Sequence, residues 1–131
     1  MFGKKRSKIR QKTLNVPEAT EQEALVTWVR GLGIRISGSA NGGKRTVYTG
    51  AKLKRMGMSP GFPDIEIPLP AGRYHGLYIE MKRKDGGTLT HEQADWLNYL
   101  NGEGYCAQVA HGFDEAKQIV LRYLQNRATN G

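Results

Sequence analysis

The chain carries a single cysteine, Cys106. That excludes an internal disulfide framework and any zinc site built on cysteine pairs. Cys106 sits in the apolar stretch GYCAQVA (104–110), the setting of a buried, inert thiol and not of a nucleophile. No run of apolar residues approaches the length that spans a membrane. None follows the positively charged start MFGKKRSKIRQK, which therefore does not read as a signal peptide. These absences point to a cytosolic protein. His75, His91 and His111 show no metal-ligand spacing and read as surface histidines. Ser59, in GMSPG, has no base at hand to make it a nucleophile. NGGK (41–44) is too short for a phosphate loop of the Walker type. No internal repeat is present. At 131 residues the length suits one domain with a real core.

Acidic residues are also missing from one long stretch. Residues 24–63 contain Arg30, Arg35, Lys44, Arg45, Lys52, Lys54 and Arg55 and no carboxylate at all. Residues 1–12 add Lys4, Lys5, Arg6, Lys8, Arg10 and Lys12, again without an acid. The carboxylates collect elsewhere, in 13–23 and from Asp64 onward, although the whole chain carries a net charge of +8. This layout suits a polyanionic partner, with acids kept where chemistry needs them. On charge alone, a solubilising surface with a disordered tail reads equally well.

The hydrophobic periodicity gives an α/β pattern. Leu25, Trp28, Val29 and Leu32 recur at helical spacing over 18–32, and Gly31 and Gly33 end that helix. Ile34-Arg35-Ile36 alternates like a strand, and NGGKR (41–45) before TVYT reads as a hairpin turn. Residues 51–56 form one helical turn. DIEI (64–67) and LYIEMK (77–82) read as strands joined by a turn over 68–76. Thr90 opens a helix with Leu97 and Leu100 inward, YCAQVA is another strand, and 114–126 is a last helix. Its stripe is Ala116, Ile119, Val120, Tyr123 and Leu124. The order expected is α-β-β-β-α-β-α. The organisation expected is a basic disordered tail over 1–15, one domain over 16–126, and a disordered C-terminal tail over 127–131.

Strand period brings three charged residues together. In 77–82, Leu77, Ile79 and Met81 share the core face, while Tyr78, Glu80 and Lys82 share the other. If 64–67 pairs with 77–82 through the turn, Asp64 stands beside Glu80, with Lys82 next to them. Two close carboxylates repel unless a cation neutralises them. Their hard oxygens suit Mg²⁺ or Mn²⁺. A neighbouring lysine can orient a water and stabilise charge on a phosphate. Taken alone, Glu80 and Lys82 read as an ordinary ion pair on a solvated sheet face; Asp64 at the end of the partner strand is what weighs against that.

These residues carry a resemblance. GFPD, fifteen residues and then EMK matches the P-D…(D/E)-x-K signature of the PD-(D/E)xK nucleases. More narrowly, five segments in order resemble the VRR-NUC (virus-type replication-repair nuclease) domain. They are EATEQEALVTWVR (18–30), ANGGKR (40–45), AKLKRMGMSPGFPDI (51–65), GLYIEMK (76–82) and TLTHEQADWLNYL (88–100). The resemblance implies a restriction-endonuclease-like core, a mixed sheet flanked by helices. It implies that Asp64, Glu80 and the Met81 carbonyl hold the metal, and that Lys82 acts on water and phosphate. It adds Gln93 of the second helix, although Thr90-His-Glu-Gln93 is also a capping box in which Gln93 only ties off the helix start. From the first helix it implies one more acid, reaching the metal through water. Glu18, with Gln22 one turn on, fits that pattern best, and Glu21 is in reserve. Both are also acids of a first turn that would favour the helix dipole without any further role.

The implied partner is DNA. Asn41, Lys44 and Arg45 are candidates for its backbone, and Lys52, Lys54 and Arg55 are stronger ones because the family pattern is basic there. The expectation is a metal-dependent endonuclease selective for DNA structure, above all four-way junctions, acting as a homodimer. A flap or nicking endonuclease and a non-catalytic DNA-binding module are the alternatives.

Overall fold

The computed structural model describes residues 17–39 and 49–129. Among the described residues four helices and four strands follow in the order α1 (Glu18–Gly31), β1 (Ser37–Gly38), α2 (Gly50–Arg55), β2 (Ile65–Ile67), β3 (Leu77–Lys82), α3 (His91–Gly102), β4 (Cys106–His111) and α4 (Phe113–Thr129). The sheet order is β1-β2-β3-β4. β1, β2 and β3 are antiparallel neighbours, and β4 lies parallel to β3. A parallel neighbour needs a crossover, which α3 supplies. The expected α/β class, with a mixed sheet between helices, is what the chain adopts.

Prolines set the length of β2. Pro63 and Pro68 bracket DIEI, and neither can donate to a ladder. This also explains why Ile34–Ile36 is not a strand, as its alternation suggests. Ser37 pairs with Glu66, so Arg35 would face Pro68 and find no donor. Pairing therefore starts at Ser37. Ile36 still turns into the core.

Both faces of β3 are covered, so all six of its residues are buried. Leu77, Ile79 and Met81 pack with Leu25 and Val29 of α1 and with Ala116, Ile119, Val120 and Tyr123 of α4. Tyr78 packs on the opposite side with Leu97 and Leu100 of α3 and Ala107 of β4. Leu25 is fully enclosed, and its truncation to alanine would cost about 2–5 kcal/mol. Leu32, in phase with Leu25 and Val29, is instead exposed, because α1 ends at Gly31 before reaching cover. Asn101 closes the outer edge of β4: its side chain exchanges two hydrogen bonds with the Ala107 backbone, at 2.9 and 3.0 Å.

The C-terminal tail needs a correction. α4 continues to Thr129, so 127–129 are helical. Arg127 donates to the Pro70 carbonyl at 2.6 Å, and Tyr123 Oη to the Leu69 carbonyl at 2.7 Å. These bonds tie the last turns of α4 to the 68–76 turn. The N-terminal tail and the 41–48 hairpin lie outside the described residues.

Candidate active site

The β2–β3 register decides the geometry. Ile65 pairs with Ile79, so one position further on Asp64 stands opposite Glu80. Asp64 Oδ2 accepts the Met81 amide at 2.8 Å, which turns the carboxylate toward β3. In an extended strand the N–H and C=O of one residue point to the same side, so the Met81 carbonyl leaves β3 in Asp64's direction. Pro63, its counterpart in the register, has no N–H with which to occupy it.

Lys82 follows on the same face of β3, and its ammonium is held from α3. Nζ donates to Gln93 Oε1 at 2.9 Å, while Glu80 Oε2 is 3.8 Å away. Gln93 Nε2 donates to Glu80 Oε2 at 3.2 Å. The same Gln93 Oε1 also accepts the Thr90 amide at 2.9 Å, and Thr90 Oγ1 accepts the Gln93 amide at 3.1 Å. The capping box and the contact with the acidic pair, read from sequence as competing roles, are one arrangement. The cap fixes the first turn of α3, and that turn presents Gln93 to both Glu80 and Lys82.

Glu80 and Lys82 are only 3% and 8% exposed. Burial and then the facing Asp64, by its charge and a shared hydrogen bond, push the Glu80 carboxyl up to about 8. The Lys82 ammonium opposes that shift and Glu18 adds to it. Glu18 is therefore within electrostatic reach of the pair. Glu21 is not placed there: its carboxylate accepts the Phe113 amide and caps the start of α4. Among the described residues no three His, Cys, Asp or Glu side chains form a metal cage by themselves.

Two site-forming residues carry little signal of their own in the sequence. Gly61 has φ +85°, and a Cβ there would lie 2.5 Å from the Glu92 carbonyl carbon and 2.6 Å from the Gln93 amide nitrogen. Glycine is what lets Phe62-Pro63-Asp64 lie against the start of α3. The G of GFPD was the available signal. Gln22 Nε2 and the Asp64 carbonyl both approach Gly38, at 3.5 and 3.6 Å from an added Cβ, which puts α1 beside the Asp64 end of β2. Lys52, Lys54 and Arg55 are exposed on α2, which leads through Gly57–Gly61 toward Asp64. Asn41, Lys44 and Arg45 lie outside the described residues.

The profile of the VRR-NUC domain matches residues 45–114, more than half of the chain. The chain belongs to the VRR-NUC family. A solved structure titled VRR-NUC domain protein is similar at 30% identity and a TM-score of 0.74, over 85% of this chain and 90% of that one. No curated protein matches significantly. A VRR-NUC domain is a nuclease domain of the PD-(D/E)xK type, and a nuclease domain of this type binds DNA. No described helix is long and apolar enough to cross a membrane.

Proposed function

We propose that this VRR-NUC domain is a metal-dependent endonuclease that cuts branched DNA such as four-way junctions and works as a homodimer. The observation that carries the proposal is the Asp64–Glu80 pair with Lys82 tethered beside it through Gln93. An acid pair in which burial, and then the facing carboxylate, keeps a proton on Glu80 is a donor set that fits a divalent cation. Asp64, Glu80 and the Met81 carbonyl would hold Mg²⁺ or Mn²⁺, with Glu18 reaching it through water. When bound, the ion polarises the scissile phosphate and lowers the pKa of water.

The chain's own residues supply the rest. Glu80 gives up its proton as the site is loaded. Lys82, fixed by Gln93 Oε1, orients the attacking water and stabilises negative charge as it grows on the phosphoryl oxygens. Lys52, Lys54 and Arg55, with Asn41, Lys44 and Arg45, bind flanking phosphates and position the backbone without reading sequence.

One such site cuts one strand, whereas resolving a four-way junction takes two cuts related by near-twofold symmetry. A twofold dimer provides both. The test is cleavage with Mg²⁺ or Mn²⁺ on linear, flap, fork and four-way DNA, together with light scattering of the protein. Paired cuts in the four-way junction by a dimer are expected. A monomer that makes uncoupled nicks would leave a flap or nicking nuclease instead.

A further inference from the structure

The outer face of α3 carries a group of residues that phosphate hydrolysis does not use. Trp96 lies three residues beyond Gln93, nearly one helical turn further along. Its indole meets Phe62 edge-on, with centroids 5.0 Å apart at 80°, and Phe62 is two residues from Asp64. On its other side Trp96 meets Tyr99, at 5.7 Å and 86°. Tyr99 is 57% exposed, although it is held in this row of rings. Beside them opens a hollow of about 500 Å³, lined among the described residues by Asp95, Trp96, Asn98 and Tyr99. The side chains of Asp95 and Asn98 make no hydrogen bond among the described residues.

The chemistry of this hollow is selective. A backbone phosphate is excluded by the Asp95 carboxylate, whose charge would repel it. An aliphatic chain would leave two polar side chains unused. A nucleobase satisfies every part: an aromatic face for stacking, and an amide and a carboxylate for its hydrogen-bonding edge. Position agrees as well. At 1.5 Å per residue, Trp96 and Tyr99 stand roughly 5–9 Å along the helix from Gln93, which touches Glu80 and Lys82. That is the range of a nucleotide flanking the phosphate at the site.

We propose that this hollow on α3 receives one unpaired base of the DNA substrate, stacked on Tyr99, which Trp96 supports edge-on, and met at its edge by Asp95 and Asn98. The proposal rests on the nuclease reading and deepens it. An enzyme that captures an unpaired base favours DNA at branches and ends, where bases are already unstacked. A carboxylate accepts from both N1–H and N2–H₂ of an unpaired guanine, whereas thymine offers it only N3–H, so guanine is preferred over thymine.

The test is an anisotropy titration of the full chain, without divalent metal, on a labelled fork with one single-stranded arm. Arm positions next to the branch are made abasic in turn. One abasic position should weaken binding about 10-fold, and Tyr99→Ala should weaken binding to the intact arm by a similar factor. Tyr99→Ala should have no further effect on that abasic arm, and Tyr99→Phe should bind as wild type does. Losses that multiply, or a Tyr99→Ala protein that binds the intact arm normally, would overturn the base pocket. So would a Tyr99→Ala protein that changes from dimer to monomer in sedimentation, since the face would then be a contact between copies. If the wild type binds no fork at all, the nuclease reading falls with the pocket. If it binds and cuts but is indifferent to Tyr99→Ala, only the pocket falls.

Discussion

Lys82 Nζ is 2.9 Å from Gln93 Oε1 but 3.8 Å from Glu80 Oε2, so the amide holds the lysine and the neighbouring carboxylate does not. An ordinary ion pair between neighbours on one strand face would close that second distance. Here Gln93 stands between the two charges, donating to Glu80 and accepting from Lys82. The lysine is thereby left directed and available for a substrate oxygen.

Gln93→Glu separates the two duties of this residue. Glutamate is the other residue suited to the last position of a capping box, so the helix start is kept. It cannot donate to Glu80 and adds a charge facing it. Melting temperature should stay within a few degrees of wild type while cleavage falls about 10-fold or more. Unchanged cleavage with unchanged melting would reduce Gln93 to a cap.

The raised Glu80 carboxyl predicts a pH dependence of stability in the metal-free protein. Unfolded Glu80 loses its proton near pH 4.5, whereas the folded group keeps it until about 8. Between those values the folded state binds the extra proton, so stability falls as pH rises through the window and is flat above it. Glu80→Gln removes the dependence and should add stability at pH 8, by up to about 4 kcal/mol, while adding little at pH 4. Mn²⁺ should raise the melting temperature of wild type more at pH 8 than at pH 5, because at pH 5 it must displace a proton. Melts of the two proteins that run parallel from pH 4 to pH 8 would contradict this.

Gly61 and Gly57 form a matched pair. Both have positive φ, +85° and +95°, but a Cβ at Gly57 meets nothing within 4 Å, while one at Gly61 strikes the α3 backbone. Gly57→Ala should cost about 1 kcal/mol through φ alone. Gly61→Ala should cost more and should also reduce cleavage, since Phe62–Asp64 must move off the start of α3. Denaturant melts and a cleavage assay on both variants give the comparison. Equal effects would mean that this approach is not what places Asp64.

The first twelve residues carry six cations and no acid. Each one that neutralises a phosphate contributes about −0.9 to the slope of log K against log salt. Deleting residues 1–12 should flatten that slope without moving the cleavage position. An unchanged slope would leave the tail a solubilising appendage.

Alternation in DIEI and LYIEMK made the Asp64–Glu80 alignment legible, because a two-residue period fixes facing once the connecting turn is recognised. Gln93 was legible only as a cap or by resemblance, since its contacts cross between α3 and β3. Periodicity alone left Glu18 and Glu21 open, and only the resemblance favoured Glu18. Both lie on one helical face, and it is the docking of α4 that occupies Glu21. Ile34–Ile36 misled because alternation records burial, whereas pairing depends on a donor that Pro68 lacks. The end of α4 was missed because its anchor, the Pro70 carbonyl, lies 57 residues away.

The most direct test compares single-turnover cleavage by wild type and Asp64→Asn across a Mn²⁺ titration, with melting curves on the same samples. Asparagine keeps an oxygen for the Met81 amide, so the fold and its melting temperature without metal should be retained. The account predicts cleavage reduced by at least about 100-fold and loss of the Mn²⁺-induced rise in melting temperature. An Asp64→Asn protein that cuts as wild type does, at the same Mn²⁺ concentration, would contradict it.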